Sequence, residues 1–313
     1  MPNTTSSSNK FLIIIAGPTA VGKTDLALLV AEKYGAEIYS ADSRQMYKEM
    51  SIGTAKPNRA ILKRVKHHFI DHLSIHQKYS VGHYYEEVTS ALEQYFLHNN
   101  IAVVTGGTGL YLKALMDGID DFPDIPTKVV DHYNLTYNSG GIMSLQQELL
   151  TSDPDYFTKV DINNPRRLMR ALSVIRATGQ TYTSYLQQNN NHRPNFNQIP
   201  VLLDLPREIL YERINRRVDN MIAEGLIAEA ENLFGFKGVQ ALETVGYQEL
   251  FEYFSGNIRL EEAIDLIKRN TRRYAKRQMT WFRKYGKWNT FLPSEDDIIL
   301  QFINEKLNSE PFK

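Results

Sequence analysis

The sequence lacks cysteine and has no net charge at neutral pH. Without cysteine there can be no disulfide, no thiolate metal site and no cysteine nucleophile. Because the 36 basic residues balance the 36 acidic ones, overall charge does not indicate a nucleic-acid partner, and only local clustering could. No apolar run approaches the roughly 20 residues needed to cross a membrane. Residues 1–10 are polar and lack the apolar core of a secretion signal, so we expect a disordered tail on a cytoplasmic protein without membrane attachment.

The stretch FLIIIAGPTAVGKT, at residues 11–24, joins an apolar run to a glycine-rich loop. The run predicts a buried strand over residues 11–16, and the spacing over residues 25–34, ended by Gly35, predicts a helix. Strand, loop and helix follow one another as a phosphate-binding loop (P-loop) requires, whereas a chance glycine-rich turn would not need these flanks. We therefore predict phosphate binding by Gly17, Pro18, Thr19, Ala20, Val21, Gly22, Lys23 and Thr24.

Each part of this loop suits an anion. The glycines let successive backbone N–H groups turn inwards, and the start of the helix adds the positive end of its dipole. Lys23 supplies a full charge, and the Thr24 hydroxyl is suited to Mg²⁺. The pattern leaves open which phosphate compound is bound.

Polar residues also follow two other predicted strands. Asp42 comes directly after a short strand at residues 36–41, and a second glycine-rich turn, residues 105–111, follows the strand at residues 101–104. Because ligands bind beyond the carboxyl ends of strands in open α/β sheets, we expect Asp42 and the P-loop to share one rim. A helix N-cap is the alternative for Asp42, and an ordinary tight turn is the alternative for the second glycine-rich segment. Thr105 occupies the place where ATP-hydrolysing P-loop proteins usually carry an acidic metal-binding residue.

The pattern as a whole predicts an α/β fold, a P-loop NTPase-like parallel sheet flanked by helices, formed by residues 11–117 and 200–313. Further strands are predicted at residues 68–73 and 201–205, with helices at residues 60–65 and 81–97. The nearby histidines His67, His68 and His72 lack a further spaced ligand, so we interpret them as structural rather than metal-binding.

Residues 118–199 differ in composition, and we predict that they form a small helical insertion domain. Its clearest helix has Asn164 as the N-cap, Pro165 in the first turn and Gly179 at the end. Leu168, Leu172 and Ile175 form its apolar stripe. Its arginines could form a solvated face or contact a phosphate backbone; they are Arg166, Arg167, Arg170 and Arg176.

Two later helices carry clustered cations. On the helix predicted at residues 206–221, Arg213 and Arg217 are four residues apart and should project from one face, where they could close over phosphates or form an ordinary surface pair. The helix predicted at residues 260–282 overlaps a basic segment, residues 268–287. This segment contains no acidic residue and is interleaved with aromatic residues. This segregation favours a nucleic-acid footprint over a merely solvated helix. Thr271 and Gln278 interrupt its apolar stripe, so something polar should face them.

Several motifs, in order, resemble the tRNA dimethylallyltransferases (tRNA isopentenyltransferases). They are GPTAVGKT at 17–24, SADSRQMY at 40–47, IGTAKP at 52–57, VVTGGTGLYLKAL at 103–115, NPRRLMRALSV at 164–174, RINRRVDNMIAEGL at 213–226, VGYQEL at 245–250 and RNTRRYAKRQMTWFRK at 269–284. The similarity covers residues 11–286, and it implies that the insertion domain at residues 118–199 contacts tRNA. It implies transfer of a dimethylallyl group from dimethylallyl diphosphate to N6 of adenosine 37, beside the tRNA anticodon.

The resemblance also implies roles for individual residues. The P-loop would hold the diphosphate, with Lys23 and a Mg²⁺ cofactor on Thr24 neutralising the leaving group and Arg217, near Arg213, completing the clamp. Asp42 would accept the N6 proton. The residues matching the family's tRNA-contacting segments are Asp42, Ser43, Arg44, Gln45, Thr108, Arg166, Arg167, Leu168, Met169, Arg170, Leu242, Glu243, Thr244, Val245, Gly246, Tyr247, Lys276, Arg277, Gln278, Trp281 and Arg283. One departure is Arg166, where the family commonly has glutamine.

Two other classes of function fit parts of the sequence. A P-loop small-molecule kinase would explain the loop and the Arg213/Arg217 pair, and a non-catalytic RNA-binding protein would explain the basic segment beside a vestigial loop. The family resemblance favours a tRNA prenyltransferase over both, and we expect it to act as a monomer on the anticodon stem–loop. The sequence leaves the exact prenyl donor open.

Overall fold

The computed structural model describes residues 10–120, 122–187 and 195–309. They divide into two compact units. The first contains the described residues up to 117 and from 195 onwards, and the second contains the described residues between 118 and 187. The predicted disordered tail lies, but for Lys10, outside the described residues.

The first unit is built on a sheet in which every paired strand is parallel, in the order β3-β2-β4-β1-β5-β6. Its strands are β1 Phe11–Ala16, β2 Ile38–Ser40, β3 His67–His68, β4 Ile101–Gly106, β5 Asn197–Leu203 and β6 Asn289–Phe291. All six residues of β1 are buried between β4 and β5. A strand covered on both faces has no solvent side, which is why β1 has a continuous apolar sequence.

Helices pack around this sheet. Those of the first unit are α1 Lys23–Tyr34, α2 Arg59–Arg64, α3 Val81–Tyr95, α4 Gly109–Asp117, α9 Arg207–Ala223, α10 Leu226–Leu233, α11 Tyr247–Phe254, α12 Leu260–Lys284 and α13 Asp296–Asn308. Leu26 and Val30 of α1 belong to the same buried cluster as Ile13 and Ile15 of β1. Leu210 and Ile214 of α9 join it, as the spacing predicts. The predicted P-loop NTPase-like α/β fold is thus confirmed.

The second unit consists of α5 Thr127–Ser152, α6 Pro154–Phe157, α7 Pro165–Thr178 and α8 Tyr182–Gln187. The helix α7 has the predicted ends, because the Asn164 side chain accepts a hydrogen bond from Arg167 N and Gly179 adopts the left-handed conformation. Its Leu168 and Leu172 pack in a core with Tyr133 of α5. The arginines of α7 are exposed.

Some predicted elements differ in length or number. The strand expected at residues 68–73 stops at His68, because Phe69 and Asp71 have φ values of +62° and +55°, which extended backbone cannot accommodate. The strand expected at residues 201–205 runs instead from Asn197 to Leu203. The predicted helix at residues 260–282, α12, is followed by β6 and α13, which the sequence did not predict. In the described part of the chain, no helix combines the length and apolarity that crossing a membrane requires.

Candidate active site

The P-loop lies between β1 and α1, at the carboxyl edge of the sheet. Within it Ala20 has a φ of +65°, a left-handed conformation that costs a non-glycine residue about 1–2 kcal/mol. Such a conformation persists only where the surroundings enforce it. The loop therefore needs support from outside its own sequence.

Three side chains bind the loop, Lys23 from within it and Arg213 and Gln278 from outside. Lys23 Nζ donates a 2.8 Å hydrogen bond to the Pro18 carbonyl, and Arg213 Nη1 of α9 donates a 3.1 Å bond to the Val21 carbonyl. Gln278 Oε1 of α12 accepts a 3.0 Å bond from Thr19 N. Lys23 and Arg213, which the sequence assigns to phosphate, thus also bind the loop's own carbonyls.

A cavity of about 500 Å³ opens above the loop. Its walls include the predicted residues Lys23, Thr24, Asp42, Arg213 and Arg217, so sequence-distant motifs meet at one rim as expected. Burial lowers the pKa of Lys23 to about 7, with Asp42 acting in the opposite direction and Arg217 adding to the decrease. Burial likewise lowers the pKa of Arg217, against the attraction of Asp42. These groups thus share one desolvated environment.

A second cavity, of about 350 Å³, adjoins the first and shares Asp42, Arg217 and Tyr274 with it. Its wall includes apolar side chains from several helices: Val218, Met221, Leu226 and Ile267. Asp42 is therefore placed where a cation-rich chamber meets a partly apolar one.

Asp42 is held in place by its backbone neighbours. Its Oδ1 accepts a 2.9 Å hydrogen bond from Arg44 N, which forms a local turn. Thr108, from the second glycine-rich segment, accepts a 3.0 Å bond from Ser43 N and donates a 3.2 Å bond from its own N–H to the Ala41 carbonyl. The segments that follow β2 and β4 are thus joined, and the second glycine-rich segment is part of the site rather than an isolated turn.

Glu229 of α10 holds the loop at residues 51–53, of which Gly53 lines the second cavity, and the sequence did not predict this role. Its carboxylate accepts hydrogen bonds from the backbone N–H groups of Ser51, Ile52 and Gly53 at 2.8–3.0 Å. The Tyr247 hydroxyl donates a further 2.7 Å bond to it. An isolated glutamate in a helical pattern gives no sequence signal for this role, since its partners lie in a distant loop.

Comparison with known proteins agrees with this geometry. Residues 45–285 match the family model described as IPP transferase. The chain belongs to the IPP transferase family. It is 46% identical to a tRNA dimethylallyltransferase of Christiangramia forsetii, over 96% of this chain and all of that one, and 44% identical to one of Flavobacterium johnsoniae, over 96% and 99%.

Solved structures show the same relationship. The crystal structure of a tRNA isopentenylpyrophosphate transferase from Bacillus halodurans matches with a TM-score of 0.71 at 36% identity, covering 96% of this chain and 97% of that one. A eukaryotic dimethylallyltransferase described as acting on tRNA matches with a TM-score of 0.82 at 25% identity, covering 97% and 81%.

The structure places several of the residues that match the family's tRNA-contacting segments inside the protein. The side chains of Leu168, Leu242 and Tyr247 are at most 1% exposed, so they pack in the core. The Arg44 guanidinium donates to the carbonyls of Gln240 and Ala241 at 3.2 and 2.9 Å.

The amides of two other family-motif residues are also engaged inside the molecule. Gln45 Nε2 donates 3.3 Å bonds to the carbonyls of Thr54 and Ala55. Gln278 is buried with both ends of its amide bonded to loops, which identifies the polar group expected to face it. These side chains hold the site together.

The remaining family-motif cations lie at the surface. Lys276, Arg277 and Arg283 are exposed on α12. Part of the basic segment is paired within the protein: Lys268 Nζ lies 2.6 Å from Asp219, and Arg283 lies 3.5 Å from Asp204. Asp204 is therefore a partner of α12, and it does not line the P-loop cavity.

The residues of the P-loop cavity fit a Mg²⁺ ion that is bound together with the phosphate groups of a substrate. Among the described residues, no cluster of three or more histidine, cysteine or acidic side chains could hold a metal ion. Thr24 and Asp42 line the cavity, and Mg²⁺ commonly takes few protein ligands beside phosphate oxygens and water. Of the three nearby histidines, His68 makes contacts within the protein: its Nε2 lies 2.6 Å from Glu37 Oε2, and its ring stacks on that of Tyr39 with the centroids 4.3 Å apart.

Proposed function

We propose that this protein transfers the dimethylallyl group of dimethylallyl diphosphate to N6 of adenosine 37 in the anticodon stem–loop of tRNA. The observation that carries the proposal is the meeting of Asp42 with Lys23, Arg213 and Arg217 around one cavity above a P-loop. The relatives named tRNA dimethylallyltransferase and the related structure described as acting on tRNA support the same reaction. We further propose that the enzyme is cytoplasmic and acts as a monomer.

The chemistry needs these residue types. The C1–O bond of the allylic diphosphate breaks, leaving positive charge on carbon and negative charge on oxygen. Lys23, Arg213, Arg217 and the loop N–H groups would stabilise the departing diphosphate, which is the largest available contribution. When bound on Thr24, Mg²⁺ supplies further positive charge to the phosphate oxygens. The cations of α12 and the exposed arginines of α7 would contact the tRNA backbone.

The nucleophile needs a base. The N6 lone pair of adenine is delocalised into the ring, so the amine attacks readily only if its proton is accepted as the N6–C1 bond forms. Asp42 would accept that proton, a contribution typically worth about 10²–10⁴-fold. The adenine must leave its stack at a cost of a few kcal/mol, which is lower in a loop than in a duplex.

The kinase alternative has less support. Thr105, the penultimate residue of β4, lines the cavity where a phosphoryl-transfer P-loop protein usually has an acidic metal-binding residue. A neutral hydroxyl there would contribute little to holding Mg²⁺ between nucleotide phosphates.

The test is incubation with dimethylallyl diphosphate labelled in its carbon chain and unmodified tRNA. We expect label in the tRNA, with none in a matched tRNA carrying guanosine at position 37, which has no N6 amine. Asp42→Asn should lower transfer by about 10²–10⁴-fold while leaving tRNA affinity intact. Phosphate transfer from ATP to a small molecule, with unlabelled tRNA, would refute the proposal.

A further inference from the structure

Gln278 occupies an unusual place on α12. The neighbouring side chains Lys276 and Arg277 are exposed, but Gln278 is only 7% exposed. Its Oε1 accepts a 3.0 Å hydrogen bond from Thr19 N in the P-loop, and its Nε2 donates a 2.9 Å bond to the Gly107 carbonyl. One amide thus bridges the two glycine-rich segments that follow β1 and β4.

The fit of this amide is close on both sides. Thr19 directly precedes Ala20, whose left-handed backbone needs external support. On the other side, a Cβ added to Gly107 would lie 2.3 Å from Gln278 Nε2, so the amide occupies the space that glycine leaves. The oxygen and the NH₂ group of Gln278 each make one of these hydrogen bonds, and the side chain also lines the P-loop cavity.

We propose that Gln278 is a positioning residue for the diphosphate: it sets the P-loop conformation that receives the substrate, and it does not read RNA. This inference rests on the proposed function. Because the same helix presents exposed cations to solvent, one element would carry both the RNA-facing charges and the support of the phosphate loop. Loss of the Gln278 side chain should therefore weaken diphosphate binding, whereas loss of its exposed neighbour Lys276 should weaken RNA binding.

The first test compares two variants of α12 in steady-state kinetics and tRNA binding. Gln278→Met keeps the side-chain length but removes both hydrogen bonds, and we expect KM for dimethylallyl diphosphate to rise about tenfold or more. The tRNA Kd should stay within about twofold, since the side chain faces inwards. Lys276→Ala is the matched control, and it should weaken tRNA binding while leaving KM for dimethylallyl diphosphate unchanged. A weakened tRNA Kd with an unchanged diphosphate KM in Gln278→Met would overturn the inference.

A second pair of variants covers the case in which Gln278→Met folds poorly. Gly107→Ala should displace the amide and raise KM for the diphosphate, but in a Gln278→Ala background the freed space should make the same change nearly neutral. Effects that simply add would contradict a direct contact of this kind. Binding of inorganic diphosphate by calorimetry separates this inference from the proposed function, because it can be weakened in these variants even if the wild-type protein transfers no prenyl group.

Discussion

Capture of the diphosphate should depend on pH through Lys23. Burial lowers the pKa of this side chain from 10.5 to about 7, so in the free protein the ammonium loses its proton near neutrality. Only the protonated form attracts a diphosphate strongly. A bound diphosphate in turn raises the pKa of Lys23, because a nearby anion favours the charged form. Substrate binding above pH 7 must therefore take up a proton.

The size of the effect follows from the pKa. With a pKa near 7, about a tenth of the free protein carries the charge at pH 8 and about a hundredth at pH 9. We expect kcat/KM for dimethylallyl diphosphate to fall roughly tenfold per pH unit in this range. The value of kcat at saturating diphosphate should change much less, since the bound complex keeps Lys23 protonated.

Lys23→Arg provides the control for this profile. A guanidinium keeps its charge throughout the range, so the variant should lose the decline in kcat/KM above pH 7 even if its activity is lower at every pH. The assay is transfer of labelled prenyl group at limiting and at saturating diphosphate between pH 6.5 and 9. A flat wild-type profile, or the same slope in Lys23→Arg, would refute the assignment to Lys23.

Three further perturbations test other parts of the structure. The pKa of Lys23 is lower in the folded protein than in the unfolded chain, so the charged side chain destabilises the fold. In urea unfolding at pH 6.5, Lys23→Met should therefore have a free energy of unfolding ~1–3 kcal/mol higher than the wild type, and this difference should shrink as the pH rises towards 10. An equal difference at pH 6.5 and pH 10 would contradict this expectation. Combined Arg273→Glu and Arg277→Glu should weaken tRNA binding and make it less dependent on salt, and unchanged affinity in filter binding would identify a solvated surface. Gly53→Ala places a Cβ 2.7 Å from the buried Tyr247 ring and should lower the free energy of unfolding by ~1–3 kcal/mol, whereas unchanged stability would show that the ring can yield.

What the sequence predicted well is local along the chain. The strand, loop and helix of residues 11–34 follow from adjacent residues, and α7 has the expected Asn164 and Gly179 caps. The common rim of Asp42 and the P-loop also follows, because a general rule of parallel sheets connects strand order with ligand position. In these cases the deciding interactions lie within a few residues or within the topology.

What the sequence could not predict depends on distant partners. The polar interruption at Gln278 indicates that something polar faces it, but its partner Thr19 is separated by 259 residues. Glu229 is an ordinary helical glutamate until the fold brings the N–H groups of Ser51–Gly53 to it. The family motifs likewise include Tyr247 without indicating whether its side chain is exposed or buried, and only the structure shows that it packs in the core.

The same contacts explain how a P-loop frame can serve alkyl transfer. A base that is to accept a proton from adenine must keep an available carboxylate oxygen although cations surround it. Among the described residues Asp42 forms no salt bridge, and its Oδ1 accepts only from a backbone N–H, while Lys23 and Arg213 donate to carbonyls of the loop. Lys23 and Arg213 thus hydrogen-bond P-loop carbonyls rather than forming a direct ion pair with Asp42. If Asp42 is the base, as we propose, diphosphate binding would not first have to break an ion pair between Asp42 and either of these two cations.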